Sequence, residues 1–222
     1  MDGVFLLLCA FIFGLLVGRR LRKQKYEEHI GEVIVNQTIQ KHLSGSDFHL
    51  LKNITLPTRD GTTQIDHVLV SSKGIFVIET KYYTGWIFGN AQSKKWMQTT
   101  KFGSKNKFQN PLLQNYGHLK ALKEMFPKLK SEMFKSIIVF SGDGEFKTKM
   151  PENVMHVDML EKYITQFDES ILSEAQCCWV IGRIELCRKE VSVETDKQHA
   201  LYLNKMDVEE KTVLGPSPSP FP

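Results

Sequence analysis

The hydrophobic and polar positions of this chain fall into two periods and one long apolar exception. Val68-Leu69-Val70 and Ile75-Phe76-Val77-Ile78 are β-branched, aromatic or aliphatic, with Ser71-Ser72-Lys73-Gly74 between them, so they read as a β-hairpin. Residues 48–56 predict a preceding strand, and Pro57-Thr58-Arg59-Asp60-Gly61 the turn that follows it. Trp86-Ile87-Phe88 and Lys95-Trp96-Met97-Gln98 predict two short strands, and residues 101–109 a polar, basic loop. Residues 137–140 and 154–157 predict two more strands. Helical spacing marks residues 26–43 through Ile30, Ile34 and Ile39, and the stretch after Asn110-Pro111 through Leu112, Tyr116, Leu119, Leu122 and Phe126. Asn110 suits an N-cap and Pro111 the first helical position. Further helices are expected over 158–167, 170–186 and 195–206. Helix, a run of strands, helix, strand and then helices predicts an α/β fold with a central mixed sheet.

The long exception is Val4 to Val17, unbroken but for Gly14 and followed by Arg19, Arg20, Arg22, Lys23 and Lys25. A membrane span needs about 20 apolar residues, with a lower range near 17, so this run spans only with Gly3, Gly18 and snorkelling arginines contributing. A signal peptide would carry positive charge before its apolar core and a small-residue cleavage site after it; this chain has Asp2 before and Arg19-Arg20 after. Five basic residues on the C-terminal flank place that side in the cytoplasm. The expectation is a single uncleaved anchor at the cell membrane, N-terminus outside and the domain cytoplasmic.

Charge sharpens this picture. Residues 81–135 hold eleven lysines against two acids, a balance of +9, whereas residues 136–222 hold nine basic and fifteen acidic residues, a balance of −6. A basic middle points to a polyanion as partner. The four cysteines (Cys9, Cys177, Cys178, Cys187) form no C-x-x-C pair, which argues against structural zinc. They read as small reduced core residues, consistent with a reducing compartment.

The predicted hairpin carries the chemistry. If Val70 faces Ile75, Asp66 lies opposite Glu79; a slip of two residues puts it opposite Lys81. In either register Asp66, Glu79 and Lys81 share one face, because strand side chains alternate with period two. Hydrolysis of a phosphodiester needs an activated water and neutralisation of phosphate charge, and a carboxylate-held divalent cation supplies both. Oxygen ligands without Cys or His select a hard cation, Mg²⁺ with Mn²⁺ as substitute. Asp66 and Glu79 are the expected ligands, with the Thr80 carbonyl as a third. Lys81 would orient or deprotonate the attacking water or stabilise developing charge. Glu32 is an upstream carboxylate able to join the set. His67 alternates to the opposite face and reads as structural. His118, four residues after Gln114, is placed to approach a phosphate. Trp86 and Trp96 are able to stack on bases, although aromatics on short strands more often belong to the core. Lys94, Lys95, Lys101, Lys105 and Lys107 are expected to border the cleft and contact phosphates without sequence preference.

Gly31-Glu32, Gln64-Ile65-Asp66-His67-Val68-Leu69-Val70, Ile75-Phe76-Val77-Ile78-Glu79-Thr80-Lys81, Trp96-Met97-Gln98 and Asn110-Pro111-Leu112-Leu113-Gln114-Asn115 together closely resemble the NERD (nuclease-related) domain, a branch of the PD-(D/E)xK phosphodiesterase superfamily. The resemblance implies a restriction-endonuclease-like αβββαβ core and carries catalytic roles onto Glu32, Asp66, Glu79 and Lys81. Gln64, Gln98 and Gln114 match supporting polar positions. Ile65 stands where the superfamily has proline before its first aspartate. The implied substrate is nucleic acid, DNA ahead of RNA, and a homodimer is admitted because many such nucleases need two sites to cut a duplex. The expected organisation is an anchor over 1–18, a basic linker over 19–26, the NERD domain over 27–140, a C-terminal α/β extension over 141–207 and a disordered Pro/Ser tail over 208–222.

Overall fold

The computed structural model describes residues 29–43, 45 and 47–214, the last nine of these by backbone alone. The predicted anchor, its basic linker and the end of the tail lie outside the described residues. Among the described residues no helix is long and apolar enough to cross a membrane.

Two sheets organise the chain. Helix α1 (Ile30–His42) leads into the antiparallel strands β1 (Phe48–Pro57), β2 (Thr62–Ser71) and β3 (Gly74–Lys81). After an excursion through β4 (Trp86–Phe88), β5 (Lys95–Thr99) and β6 (Lys105–Gln109), helix α2 (Pro111–Met125) crosses over to β7 (Phe134–Phe140), parallel to β3. Strands β8 (Glu145–Phe146) and β9 (Val154–His156) follow, then helices α3 (Leu160–Thr165), α4 (Glu174–Cys187) and α5 (Val193–Leu214). The central sheet runs β1-β2-β3-β7-β9 and the second β6-β5-β4-β8. The αβββαβ order and the mixed central sheet are as expected.

The central strands are covered on both sides, which is why β3 reads as a continuous apolar run rather than an alternation. Val68, Val70, Ile75 and Val77 pack with Leu122 of α2, Phe126 at its C-terminal cap, and Val180 and Ile184 of α4. Leu69, Phe76 and Ile78 turn the other way onto Val35 and Ile39 of α1 and Leu160 and Ile164 of α3. A third cluster joins the sheets, with Trp96, Ile87 and Phe108 packed against Ile138 and Phe140 at the end of β7.

Three expectations are corrected. Residues 105–109 form an edge strand rather than loop, pairing Phe108 with Trp96. Only Phe108 of its five residues is buried, so the apolar period that would mark a strand is missing. The last helix continues to Leu214, past both the expected end at residue 206 and the start of the predicted tail. Cys178 is exposed rather than in the core, while Cys177 and Cys187 are half-buried, and all three are free thiols.

Candidate active site

The β-hairpin has the first of the two registers: Val70 pairs with Ile75 and His67 with Ile78. The ladder then stops one position short of Asp66 and Glu79. In place of the next ladder bond, the Thr80 N–H donates to Asp66 Oδ2 at 2.7 Å, so a side chain takes over as the acceptor where the strands part. On the far side of β2, Asn53 sits at φ 45° between the paired residues Lys52 and Ile54, a left-handed conformation that asparagine tolerates. Its side-chain oxygen accepts from Gln64 Nε2 at 2.6 Å. Both irregularities lie beside Asp66 and open a cleft at the C-terminal end of β3.

Glu79 and Lys81 continue the Ile75–Val77 face towards α2. Lys81 Nζ donates to Glu79 Oε1 at 2.5 Å and to Gln114 Oε1 at 3.0 Å. The second Glu79 oxygen lies 3.1 Å from His118 Nε2, and His118 Nδ1 is 2.7 Å from Thr63 Oγ1. A continuous hydrogen-bonded chain thus runs Thr63–His118–Glu79–Lys81–Gln114. His118 and Gln114 are one helical turn apart on the inward face of α2, so the helix fixes both partners of the Glu79–Lys81 pair. That inward face is held by Asn115, whose amide donates to the Val77 carbonyl at 2.9 Å and to Ser136 Oγ at 2.8 Å.

Glu32 reaches the cleft from the opposite layer. Its neighbour Gly31 is buried, and a Cβ there would stand 2.9 Å from both Ser141 Oγ and Tyr82 Cβ. A larger residue would hold α1 away from the end of β3, so glycine permits the approach that brings Glu32 to the site. The cleft, of about 550 Å³, is lined by Glu32, Gln64, Asp66, Glu79, Thr80, Lys81 and Gln114, among others.

Burial, together with the Glu79 and Glu32 carboxylates, pushes Asp66 well above the ordinary carboxylate range; the Thr80 N–H and Lys81 offset this only in part. Burial acts in the same direction on Glu79, but the Lys81 ammonium and the His118 hydrogen bond outweigh it and hold Glu79 below its usual value. Burial would lower Lys81, and the adjacent Glu79 carboxylate overcomes this and raises it. The cleft therefore concentrates more negative charge than its one ammonium balances, and Asp66 holds its proton more tightly than an ordinary carboxyl.

This donor set fits a hard divalent cation. Asp66 and Glu79 offer carboxylate oxygens, and Thr80 lines the same cleft between Glu79 and Lys81. Among the described residues no three His, Cys, Asp or Glu side chains converge as a ready-made cage. Mg²⁺ needs none, since one or two carboxylates suffice while it keeps several waters.

The residues 27–141 match the profile of the nuclease-related domain. The chain belongs to the NERD family. It is also 30% identical over 191 residues to an uncharacterized protein of Bacillus anthracis, an alignment covering 81% of this chain and 85% of that one.

Within this NERD domain several expected residues lie elsewhere. Gln98 is buried on β5 and donates to the Thr84 carbonyl at 2.8 Å, away from the cleft. Lys94, Lys95, Lys101, Lys105 and Lys107 are exposed on the second sheet and its turns rather than along the cleft rim. His118 is not available to a phosphate, being 5% exposed and engaged by Glu79 and Thr63. His67 is buried on the opposite face, with Nδ1 3.3 Å from Thr80 Oγ1. Val193 and Asp196 of α5 complete the cleft wall and were not foreseen; Asp196 Oδ1 accepts from Gln64 Nε2 at 3.1 Å. Thr62 and His199, 2.8 Å apart, help seat the same helix. Helical spacing marks α5 itself, but no local signal in the sequence says that it folds back over β2.

Proposed function

We propose that this NERD protein is a metal-dependent nuclease that hydrolyses phosphodiester bonds of nucleic acid, DNA ahead of RNA, at the inner face of the cell membrane. The observation that carries this reading is that Glu32, Asp66, Glu79 and Lys81, from three separate elements, line one cleft. Asp66, Glu79 and the Thr80 carbonyl would hold Mg²⁺, or Mn²⁺ in its place, and Glu32 would stand at the rim. When bound, the cation neutralises charge on the phosphate and lowers the pKa of the attacking water. Lys81 spends two of its N–H groups on Glu79 and Gln114, which aims the third into the cleft, towards developing charge on the phosphate. Its raised pKa favours this charge-stabilising role over deprotonation of water. His118 holds Glu79 through Oε2, while Oε1 is the oxygen that meets Lys81. The apolar run at 4–17 and its basic flank motivate the membrane address.

The test is incubation of the full chain with circular DNA, linear DNA and RNA, in Mg²⁺ or in EDTA, beside Glu79→Ala and Lys81→Ala. Metal-dependent cutting lost in both variants is the expected result. Intact substrate in every lane, with binding equal in all three proteins, would replace the enzyme with a nucleic-acid-binding scaffold.

A further inference from the structure

The second sheet carries an aromatic and basic surface that the cleft does not use. Phe102 stands at the crest of the β5–β6 turn and is 99% exposed. The turn is built: Thr100 N–H donates to the Ser104 carbonyl at 2.8 Å, Gly103 N–H to the Thr100 carbonyl at 2.9 Å, and Gly103 takes φ 80°. Trp86 pairs with Thr99 at the base of this turn and is 51% exposed, whereas Trp96 is buried in the core. Beside Trp86 lies a cavity of about 450 Å³ lined also by Thr99, Thr100, Lys101, Asp143 and Glu145, with Gly85 and Gly103. Gly85, at φ 79°, lets the backbone close on Thr99, where a Cβ would stand 2.4 Å from the Thr99 carbonyl. Along β5 and β6, Lys95, Lys105 and Lys107 share the sheet face opposite Trp96 and Phe108, and all three are exposed.

We propose that this turn and cavity form a binding site for unpaired nucleotides of the nucleic-acid strand, with Trp86 and Phe102 stacking on bases and the sheet lysines following the phosphates. An exposed aromatic platform beside a lysine-bearing surface is the combination that single strands require, because every base has a π-face and every linkage a negative charge. The carboxylates tell base from headgroup. Asp143 and Glu145 in the cavity repel an anionic lipid headgroup or a phosphate but accept hydrogen bonds from base amino groups. Glu145 is itself paired with Lys147, whose ammonium sits 5.2 Å over the Trp86 ring, and the ring remains half exposed. Trp86 follows Lys81 by five residues, at most about 18 Å of extended chain. A strand lying in the cleft therefore reaches the platform within a few nucleotides.

This site rests on the nuclease reading for its substrate class, but its test does not need cleavage. The full chain is titrated in EDTA with a labelled single-stranded DNA of about 20 nucleotides, with the same sequence as RNA, with its duplex, and with phosphatidylserine vesicles. Trp86→Ala and Phe102→Ala each weaken single-strand binding about 5- to 150-fold, the range expected for one lost base stack. Trp86→Phe retains most of the affinity, and duplex binding is unchanged in all three. Both residues are exposed, so matching thermal melts verify that the variants fold. Unchanged single-strand binding in both alanine variants overturns the proposal. So does equal weakening for duplex and single strand, or a loss confined to vesicles. If native protein cuts nothing in Mg²⁺ while Trp86→Ala still weakens single-strand binding, the nuclease reading fails and this site stands.

Discussion

At the residue scale, the cleft is a set of charges held in unequal states by their neighbours. Glu79 is stabilised as a carboxylate by Lys81 and His118, while burial and the neighbouring carboxylates of Glu79 and Glu32 raise the pKa of Asp66. His118→Ala removes the support behind Glu79 without touching the cleft lining. It is expected to weaken Mg²⁺ or Mn²⁺ binding about 10- to 100-fold, as losses of outer-shell partners do, measured by calorimetric titration. Asp66→Asn isolates the other half of the account. Because the folded pKa of Asp66 is raised, its contribution to stability is complete below its unfolded value of about 3.9 and is lost as pH rises through the folded value. In EDTA, the stability of the native protein relative to Asp66→Asn should therefore fall as pH rises above about 4. Urea midpoints across pH measure the difference; a flat difference would remove the claim that Asp66 is destabilised by burial beside Glu79 and Glu32. These states were not legible in the sequence. The shared face of Asp66, Glu79 and Lys81 followed from strand alternation, but their burial and the contributions of Glu32 from α1 and His118 from α2 did not.

At the scale of elements, legibility followed the strength of local signals. The hairpin register was one of two readable from Val70, Ser71 and Gly74, and Asn110-Pro111 marked the start of α2 to the residue. Strand β6 was missed because Lys105 and Lys107 alternate with a single buried residue, Phe108. Lysines on an edge strand guard it against pairing with another chain, and the same residues hide it from a reading based on apolar period. Asn110 does more than cap α2. Besides accepting the Leu112 N–H, its amide donates to the Ser93 carbonyl at 2.7 Å and lies 3.3 Å from those of Asn90 and Ala91. Asn110→Ala should cost about 2–3 kcal/mol, more than a cap alone, because a fully buried side chain that bonds both the helix start and the Ser93 carbonyl is lost. Chemical denaturation checks the figure. Gly31→Ala acts on geometry instead. With Ser141 and Tyr82 in the way, the first turn of α1 must shift, and a displacement near 1 Å at Glu32 should cut the cleavage rate about 10²-fold with the melting temperature little changed.

At the scale of the whole molecule, the cleft is closed by segments far apart in the chain. Gly31 and Glu32 come from one end of the described residues, Val193 and Asp196 from the other, and β2, β3 and α2 lie between. The family match ends at residue 141, so the α5 wall is an addition outside it. Similarity to the Bacillus anthracis protein spans 191 residues, more than the family region alone. The basic middle and acidic end seen in the sequence map onto different places: the exposed lysines of the second sheet lie outside the cleft, while α5 brings Asp196 into its wall. On the proposed nuclease reading, a polyanionic substrate would have to reach a negatively charged cleft with help from the positive second sheet, and a cation in the cleft would reconcile the two. The most direct test of this account is the rate at which circular DNA is opened as Mg²⁺ is titrated, for native protein and Lys81→Ala purified in parallel. The account predicts a saturable, Mg²⁺-dependent rate that falls about 10²- to 10³-fold in Lys81→Ala while DNA affinity holds. Equal rates in the two proteins, or no opening by the native chain at any Mg²⁺ concentration, would contradict it.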